Sequence, residues 1–150
     1  MACEGFFLKI AKLDKNAFIP TRATEGSIGY DLYSPKCIAI YPKCNVCIKT
    51  NLAFGIPQGF YGRISSKSGL AFNNGISAFP GTIDTDYIGN ICVVLYNERG
   101  RVYYVKRGDP IAQFIVQKSF VPQIKEIGIS CLRSTERGCK GFGSSSNPYN

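Results

Sequence analysis

Short apolar runs rich in Ile, Val, Tyr and Phe recur along the chain, and polar turns close them. "CIAIY" (37–41), "VCIKTNLAF" (46–54), "FYGRIS" (60–65), "ICVVLYN" (91–97) and "VYYV" (102–105) are cut apart by "IPQG", "NNG", "NERG" and "KRGD". Short strands at this spacing, with turn residues between them, predict an all-β barrel or sandwich. "IAQFIVQKSFV" (111–121) fits two periods, because Ile111, Phe114 and Ile115 also share one helical face. Gly108 and Pro110 before it and Pro122 after it favour a strand. "KSGLAF" (67–72) reads as one helical turn. No internal repeat and no second domain interrupt the pattern, and only the last dozen residues have the Gly/Ser composition of a loose tail. The expected organisation is a β-barrel core over 1–136 and a flexible tail over 137–150.

Composition sharpens this picture. A chain of 150 residues suits one domain and can bury roughly 68–70% of its unfolded surface without staples. No run of about 18 apolar residues occurs, so no membrane span or membrane partner is expected. The opening "MACEGFFLKIAKLDK" mixes acid and lysine into its apolar residues, unlike a signal peptide. An intracellular protein, of cytoplasm or nucleus, is expected. The seven cysteines are odd in number and read as reduced thiols. The C-x-x-C of Cys44 and Cys47 has no second pair at metal-ligand spacing and reads as ordinary strand and turn. Histidine is absent, which removes the commonest general base and zinc ligand. The net charge of +8 attracts polyanions, with nucleic acid and small polyphosphates as candidates that charge alone does not separate.

Five segments carry candidate chemistry. In "SIGYDLYSP" (27–35), Asp31 stands among apolar and aromatic residues, where a carboxylate must be paired or hydrated. In "GRISSKSGLA" (62–71), Lys67, Ser68 and Gly69 lead into the helical turn, and backbone N–H groups with hydroxyls and a cation beside them suit phosphate. In "FPGTIDTDYIGNICVVLYN" (79–97), Asp84 and Asp86 would share one side of a strand, and Gly81 and Gly89 suit a hairpin or a close ligand approach. Carboxylates beside a phosphate cradle point to Mg²⁺-assisted phosphoryl chemistry. "RGDPIAQFI" (107–115) places the Gln113 amide on an apolar strand. The closing "RGCKGFGSSSNPYN" (137–150) offers Arg137 to grip a phosphate, a Gly/Ser row of donors, and Phe142 as a flat face for a base.

Together, and in this order, these segments over residues 26–146 resemble the five motifs of the homotrimeric deoxyuridine triphosphate nucleotidohydrolases, the dUTPases, in their eukaryotic and viral branch. The resemblance implies a distorted, jelly-roll-like β-barrel with at most one short helix, assembled as a trimer with active sites at subunit junctions. It implies hydrolysis of dUTP to dUMP and pyrophosphate with Mg²⁺, which limits uracil in DNA and supplies dUMP for dTTP synthesis. Asp84 matches the carboxylate that directs water at the α-phosphorus. Tyr87 matches the ring beneath the deoxyribose, and residues 73–87, with Gly81 and Ile83, match the hairpin that reads uracil. Lys67, Ser68, Gly69 and Gln113 match substrate-contacting positions, and Asp31 matches a carboxylate reaching the metal through water. Arg137 matches the γ-phosphate ligand, Phe142 the ring on uracil, and Gly143, Ser144 and Ser145 the closing phosphate loop. No stable nucleic-acid partner is expected.

The chain departs from the family pattern at Lys67, where Arg is usual, at Phe79-Pro80, at Pro110, at Lys140 and at Ser146. Turnover is still expected, since the base, the stacking ring and the tail Arg are kept. A free aspartate is a weak base, with a pKa of about 3.9, so Asp84 must act by positioning water, and a closing tail must raise the value of each charge by expelling solvent. Two other readings compete: a nucleotide- or partner-binding protein with little catalysis, and a dCTP deaminase or bifunctional relative.

Overall fold

A computed structural model describes residues 7–140. Among these residues it holds eleven strands and one short α-helix. The strands are β1 (Lys9–Lys12), β2 (Tyr30–Tyr33), β3 (Ile38–Ile40), β4 (Asn45–Lys49), β5 (Leu52–Gly55) and β6 (Phe60–Ser65). After the helix α1 (Ser68–Asn74) come β7 (Ile76–Ala78), β8 (Gly81–Ile83), β9 (Cys92–Asn97), β10 (Tyr103–Val105) and β11 (Pro110–Lys118). All pairing is antiparallel. One sheet runs β2-β11-β6-β8 and another β4-β9-β7, with two-stranded ribbons β1-β5 and β3-β10. The result is an all-β, jelly-roll-like fold.

Alternation decides which faces meet. In β9, Val93, Leu95 and Asn97 are buried while Cys92, Val94 and Tyr96 are half-buried, the period of two that a strand requires. Across the core, Phe54 meets Phe114 edge-on, with ring centroids 4.6 Å apart. Gly62 of β6 lies under the Phe114 ring, and a Cβ there would come within 2.3 Å of it. β11 breaks its alternation once, with a register shift between Pro110 and Ala112 against β2. The bulge lets Ile111 and Ala112 both face inward before Phe114 follows. The extra residue brings Ile111 and Phe114, three apart, to one buried side as a helix would, while Ile115 is only half-buried and the segment is a strand.

The buried Asn97 pins the turn between β9 and β10. Its side-chain amide donates to the carbonyls of Ile40 and Arg101, and its oxygen accepts from the Arg99 N–H. The unit that carries the strands ends at Phe120. Residues 121–140 belong to a second compact unit and include a 3₁₀ turn over Ile129–Cys131.

Two local expectations are corrected. Asp84 and Asp86 are not on a strand, because β8 ends at Ile83 and the Tyr87 N–H bonds back to the Asp84 carbonyl at 3.2 Å, turning the chain. Nor do the strands within 73–87 pair as a hairpin. β7 pairs with β9 and β8 with β6, and the two-residue link Phe79-Pro80 carries the chain from one sheet to the other. Proline, lacking an N–H, suits that corner. The helical turn anticipated at 67–72 extends to Asn74, where Gly75 closes it at φ 64°.

Candidate active site

The four-stranded sheet sets the first half of the site. In its register Asp31 of β2 faces Gln113 of β11, and Gln113 faces Ser65 of β6. α1 then begins at Ser68, three residues on. The Lys67 ammonium reaches back to Asp31 Oδ1 at 2.5 Å, with the two side chains 25% and 15% exposed. The buried-carboxylate question raised by the sequence is thus answered by a cation two strands away. Gln113 Nε2 donates to the Ser66 carbonyl at 2.9 Å, which fixes the amide against the start of α1. Ser66 is itself clasped, because its hydroxyl donates to the Ala78 carbonyl and accepts from the Ala78 N–H. That clasp ties the residues before α1 to the start of the Phe79-Pro80 corner.

These groups line a cavity of about 300 Å³ whose walls include Asp31, Lys67, Ser68, Gly69 and Gln113. Every one of them is a residue singled out by sequence. Ala23, Ser27, Ile28 and Gly29 complete the wall and were not. Gly29 is needed for room, since a Cβ there would come within 2.4 Å of Gln113 Oε1. The cavity combines an ammonium, hydroxyls and an amide with N–H groups at a helix start, a set suited to phosphate oxygens.

The second half of the site follows β8. A cavity of about 220 Å³ is lined by Thr82, Ile83, Asp84, Tyr87, Asn90 and Cys92. Tyr87 donates its hydroxyl to the Asn90 carbonyl at 3.0 Å. Its ring lies on the backbone of Gly89, where a Cβ would stand 2.6 Å from Cζ and from the hydroxyl oxygen. Gly89 therefore makes room for a ring rather than for a strand pairing. The Cys92 thiol donates to the Asn90 carbonyl. Burial raises its pKa, and the neighbouring Cys47 adds to the effect against the opposing charge of Lys49. The wall mixes the apolar Ile83 and the Tyr87 ring with the Thr82 hydroxyl and the Asn90 amide around Asp84. Asn90 and Cys92 were missed by sequence. Gly81, proposed as a contact, lies on β8 opposite Ile64.

The two cavities are far apart within one chain. Asp84 lies one residue beyond the paired end of β8, opposite the Tyr61 end of β6, while Asp31 lies three strands over, in the row of Ser65. At about 4.8 Å per strand, roughly 14 Å of sheet lies between β2 and β8. Among the described residues no three Asp, Glu, Cys or His side chains group as a metal cage. Arg137 donates its Nε to the Lys140 carbonyl at 2.9 Å within the second unit. Phe142, Gly143, Ser144 and Ser145 lie outside the described residues.

Comparison with known proteins fits this geometry. The profile of the family described as dUTPase matches residues 15–146. The mitochondrial deoxyuridine 5'-triphosphate nucleotidohydrolase of Homo sapiens is 43% identical over 140 residues, which is 93% of this chain and 55% of that protein. The chain therefore spans about half of the human relative. The deoxyuridine 5'-triphosphate nucleotidohydrolase of swinepox virus (strain Kasza) is 42% identical over 141 residues, 94% of this chain and 98% of that one. Among solved structures, Staphylococcus bacteriophage 80alpha dUTPase with dUPNHPP superposes with a TM-score of 0.87 at 27% identity, over 94% of this chain and 99% of that one. A dUTPase of phage phi11 of S. aureus, whose structure describes the coordination of a structural Mg(II) ion, gives 0.76 at 25% identity, over 81% of this chain and 96% of that one.

Proposed function

The chain belongs to the dUTPase family, and from that premise we propose that it hydrolyses dUTP to dUMP and pyrophosphate. The observation that carries this reading is the pairing of two unlike half-sites: a polar, cationic cavity at Lys67–Ser68–Gln113 and one of mixed lining that sets the Tyr87 ring beside Asp84. The first suits a triphosphate and the second a nucleoside. Water forms a bond to the α-phosphorus, the bond from that phosphorus to the bridging oxygen breaks, and pyrophosphate leaves with the electron pair. Asp84 orients that water and accepts its proton. Positioning of this kind supplies about 7–11 kcal/mol of the barrier, which is where a weak base gains its effect. Tyr87, held by Asn90 and Gly89, sets the floor of the sugar. Arg137 and the residues 142–145 complete the phosphate and base contacts as a tail that closes over substrate.

No residue lines both cavities, and Asp31 and the strand that leads to Asp84 stand at opposite edges of the four-stranded sheet. In this reading the site is completed between copies, in a homotrimer with three junction sites. Exposed apolar side chains support self-association: Ile88, Phe120, Val121 and Ile124 all face solvent in the single chain, Ile124 by 99%.

Mg²⁺ is the cofactor of this reading. Asp31 is the carboxylate beside the phosphate cavity, and one of its oxygens is held by Lys67. Such a donor set fits an ion held chiefly by water and the triphosphate, with Asp31 reaching it through water. When bound, the ion offsets phosphate charge and polarises the phosphoryl oxygens. The test is Asp84→Asn, assayed for pyrophosphate release and, by calorimetry, for dUTP binding. Turnover should fall by at least a thousandfold with binding retained. Near-normal turnover would refute the role of Asp84 and with it this reading.

A further inference from the structure

The cationic charge is not spread evenly. Residues 36–43 and 98–109 carry Lys36, Lys43, Arg99, Arg101, Lys106 and Arg107 against Glu98 and Asp109, a net +4, half of the +8 of the whole chain. These segments meet in the β3-β10 ribbon, where Tyr103 pairs with Ile40, Tyr104 with Ala39 and Val105 with Ile38. Ile40 and Val105 point into the core. Alternation turns Tyr104 outward, and Tyr41 and Lys106 continue the same outer face at its two ends. Tyr104 is 69% and Tyr41 63% exposed.

The two acids in these segments are hydrogen-bonded, and Asp109 leaves its charge at the Lys106 end, where Lys106 and Arg107 outnumber it. Glu98 accepts from the Ser77 hydroxyl and Asp109 from the Lys106 backbone N–H. Among the described residues the one ion pair is Lys67–Asp31, so none of the six cations is neutralised by a carboxylate. Beyond the Tyr41 end of the ribbon lies a cleft lined by Asn73, Arg99, Gly100 and Arg101. Its shape is built in. Asn97 pins the turn from inside, Arg99 folds over Gly75 and donates to the Phe72 carbonyl, and Lys43 donates to the Glu98 carbonyl.

We propose that this face, running from Lys106 over Tyr104 and Tyr41 to the Arg99–Arg101 cleft, binds single-stranded nucleic acid. Two exposed phenol rings, on diagonal ribbon positions whose backbones lie about 7–8 Å apart, offer flat faces to neighbouring unpaired bases, and the cations at both ends meet the phosphates. A duplex hides its base faces and an acidic peptide has none, so neither uses the tyrosines. The contact is weak and salt-sensitive, distinct from a stable complex, which the family resemblance does not lead one to expect. It is independent of the dUTP reading, since no residue of either half-site takes part.

The test uses the full chain and a fluorescent oligothymidylate, with binding followed by anisotropy between about 50 and 200 mM salt. With three or four phosphates engaged, log K should fall against log salt with a slope of about −2 to −3. Tyr41→Ala with Tyr104→Ala should weaken binding about tenfold or more, the corresponding Phe variants should retain it, and Lys106→Ala should lower the slope by about 0.7. dUTP turnover, circular dichroism and oligomeric state should stay as in the parent. No binding at low salt, or binding indifferent to the tyrosines, would overturn the proposal. So would equal affinity for duplex DNA, heparin or polyglutamate. A change of oligomeric state in the alanine variants would make the face an interface between copies and overturn it too.

Discussion

Gly29→Ala tests whether Gln113 is held in place by the space that a glycine leaves. The added Cβ would stand 2.4 Å from Gln113 Oε1, 3.3 Å from its Cδ and 3.2 Å from its Cβ. The amide is the flexible end and can swing away, but doing so breaks its 2.9 Å bond to the Ser66 carbonyl. That loss is worth about 1 kcal/mol net. The contact with the Gln113 Cβ asks β2 and β11 to separate slightly, which brings the total to about 1–2 kcal/mol. The fold should survive this cost. That cost falls on folding; the rate falls separately, because a displaced amide also loses its hydrogen bond to a charged phosphate, worth about 1.5–3 kcal/mol, so kcat/KM for dUTP should drop roughly 10–150-fold at 1.36 kcal/mol per tenfold. The assay is a double-mutant cycle on pyrophosphate release with Gln113→Ala. If Gly29 serves only to seat Gln113, Gly29→Ala should cost almost nothing in the Gln113→Ala background, leaving a coupling term as large as the single effect. Additive losses, or an unchanged kcat/KM in the single variant, would refute the reasoning.

Other outcomes follow from the same contacts. Gly62→Ala should destabilise by about 1–3 kcal/mol, because its Cβ meets the buried Phe114 ring at 2.3 Å and Ile56 at 3.1 Å; a calorimetric Tm lowered by roughly 3–12 °C checks it. The raised pKa of Cys92 means that the folded protein holds this proton longer than the unfolded chain. Its contribution is complete below the ordinary value of 9.0 and is lost as pH rises past it, so Cys92→Ala should flatten the alkaline fall in Tm, and an identical profile would count against it. Removing residues 137–150 should leave the circular dichroism of the β-sheet unit intact and cut turnover at least a hundredfold; full activity in the truncated chain would dispose of the closing tail.

How far the sequence carries depends on whether a feature is local. Alternation is local, so seven of the eleven strands, β3 to β6 and β9 to β11, lie within or beside the apolar runs that turn residues bound, and α1 is visible in "KSGLAF". The exceptions have physical reasons. The β11 bulge shifts the register of one strand against its partner, and a chain read alone cannot reveal a partner's register. The two-residue link at Phe79-Pro80 looked like part of a hairpin, yet the adjoining strands found different neighbours. A two-residue spacing puts Asp84 and Asp86 on one face of a strand, but β8 ends at Ile83 and one backbone bond from Tyr87 to Asp84 turns the chain.

The residue types of the site were determined by the sequence: an acid, a cation, a hydroxyl, an amide and an aromatic ring in a characteristic order. Only the tertiary structure decided who pairs with whom. Lys67 meets Asp31 across 36 positions, and Gln113 reaches Ser66 across 47, contacts that exist because β2, β11 and β6 lie side by side. The spacing between the half-sites, the room reserved by Gly29 and Gly89, and the gathering of charge on the β3-β10 ribbon arise in the same way. Strand pairing brings distant positions within a few ångströms, and a linear pattern of hydrophobic and polar residues carries the faces of the strands but not their neighbours.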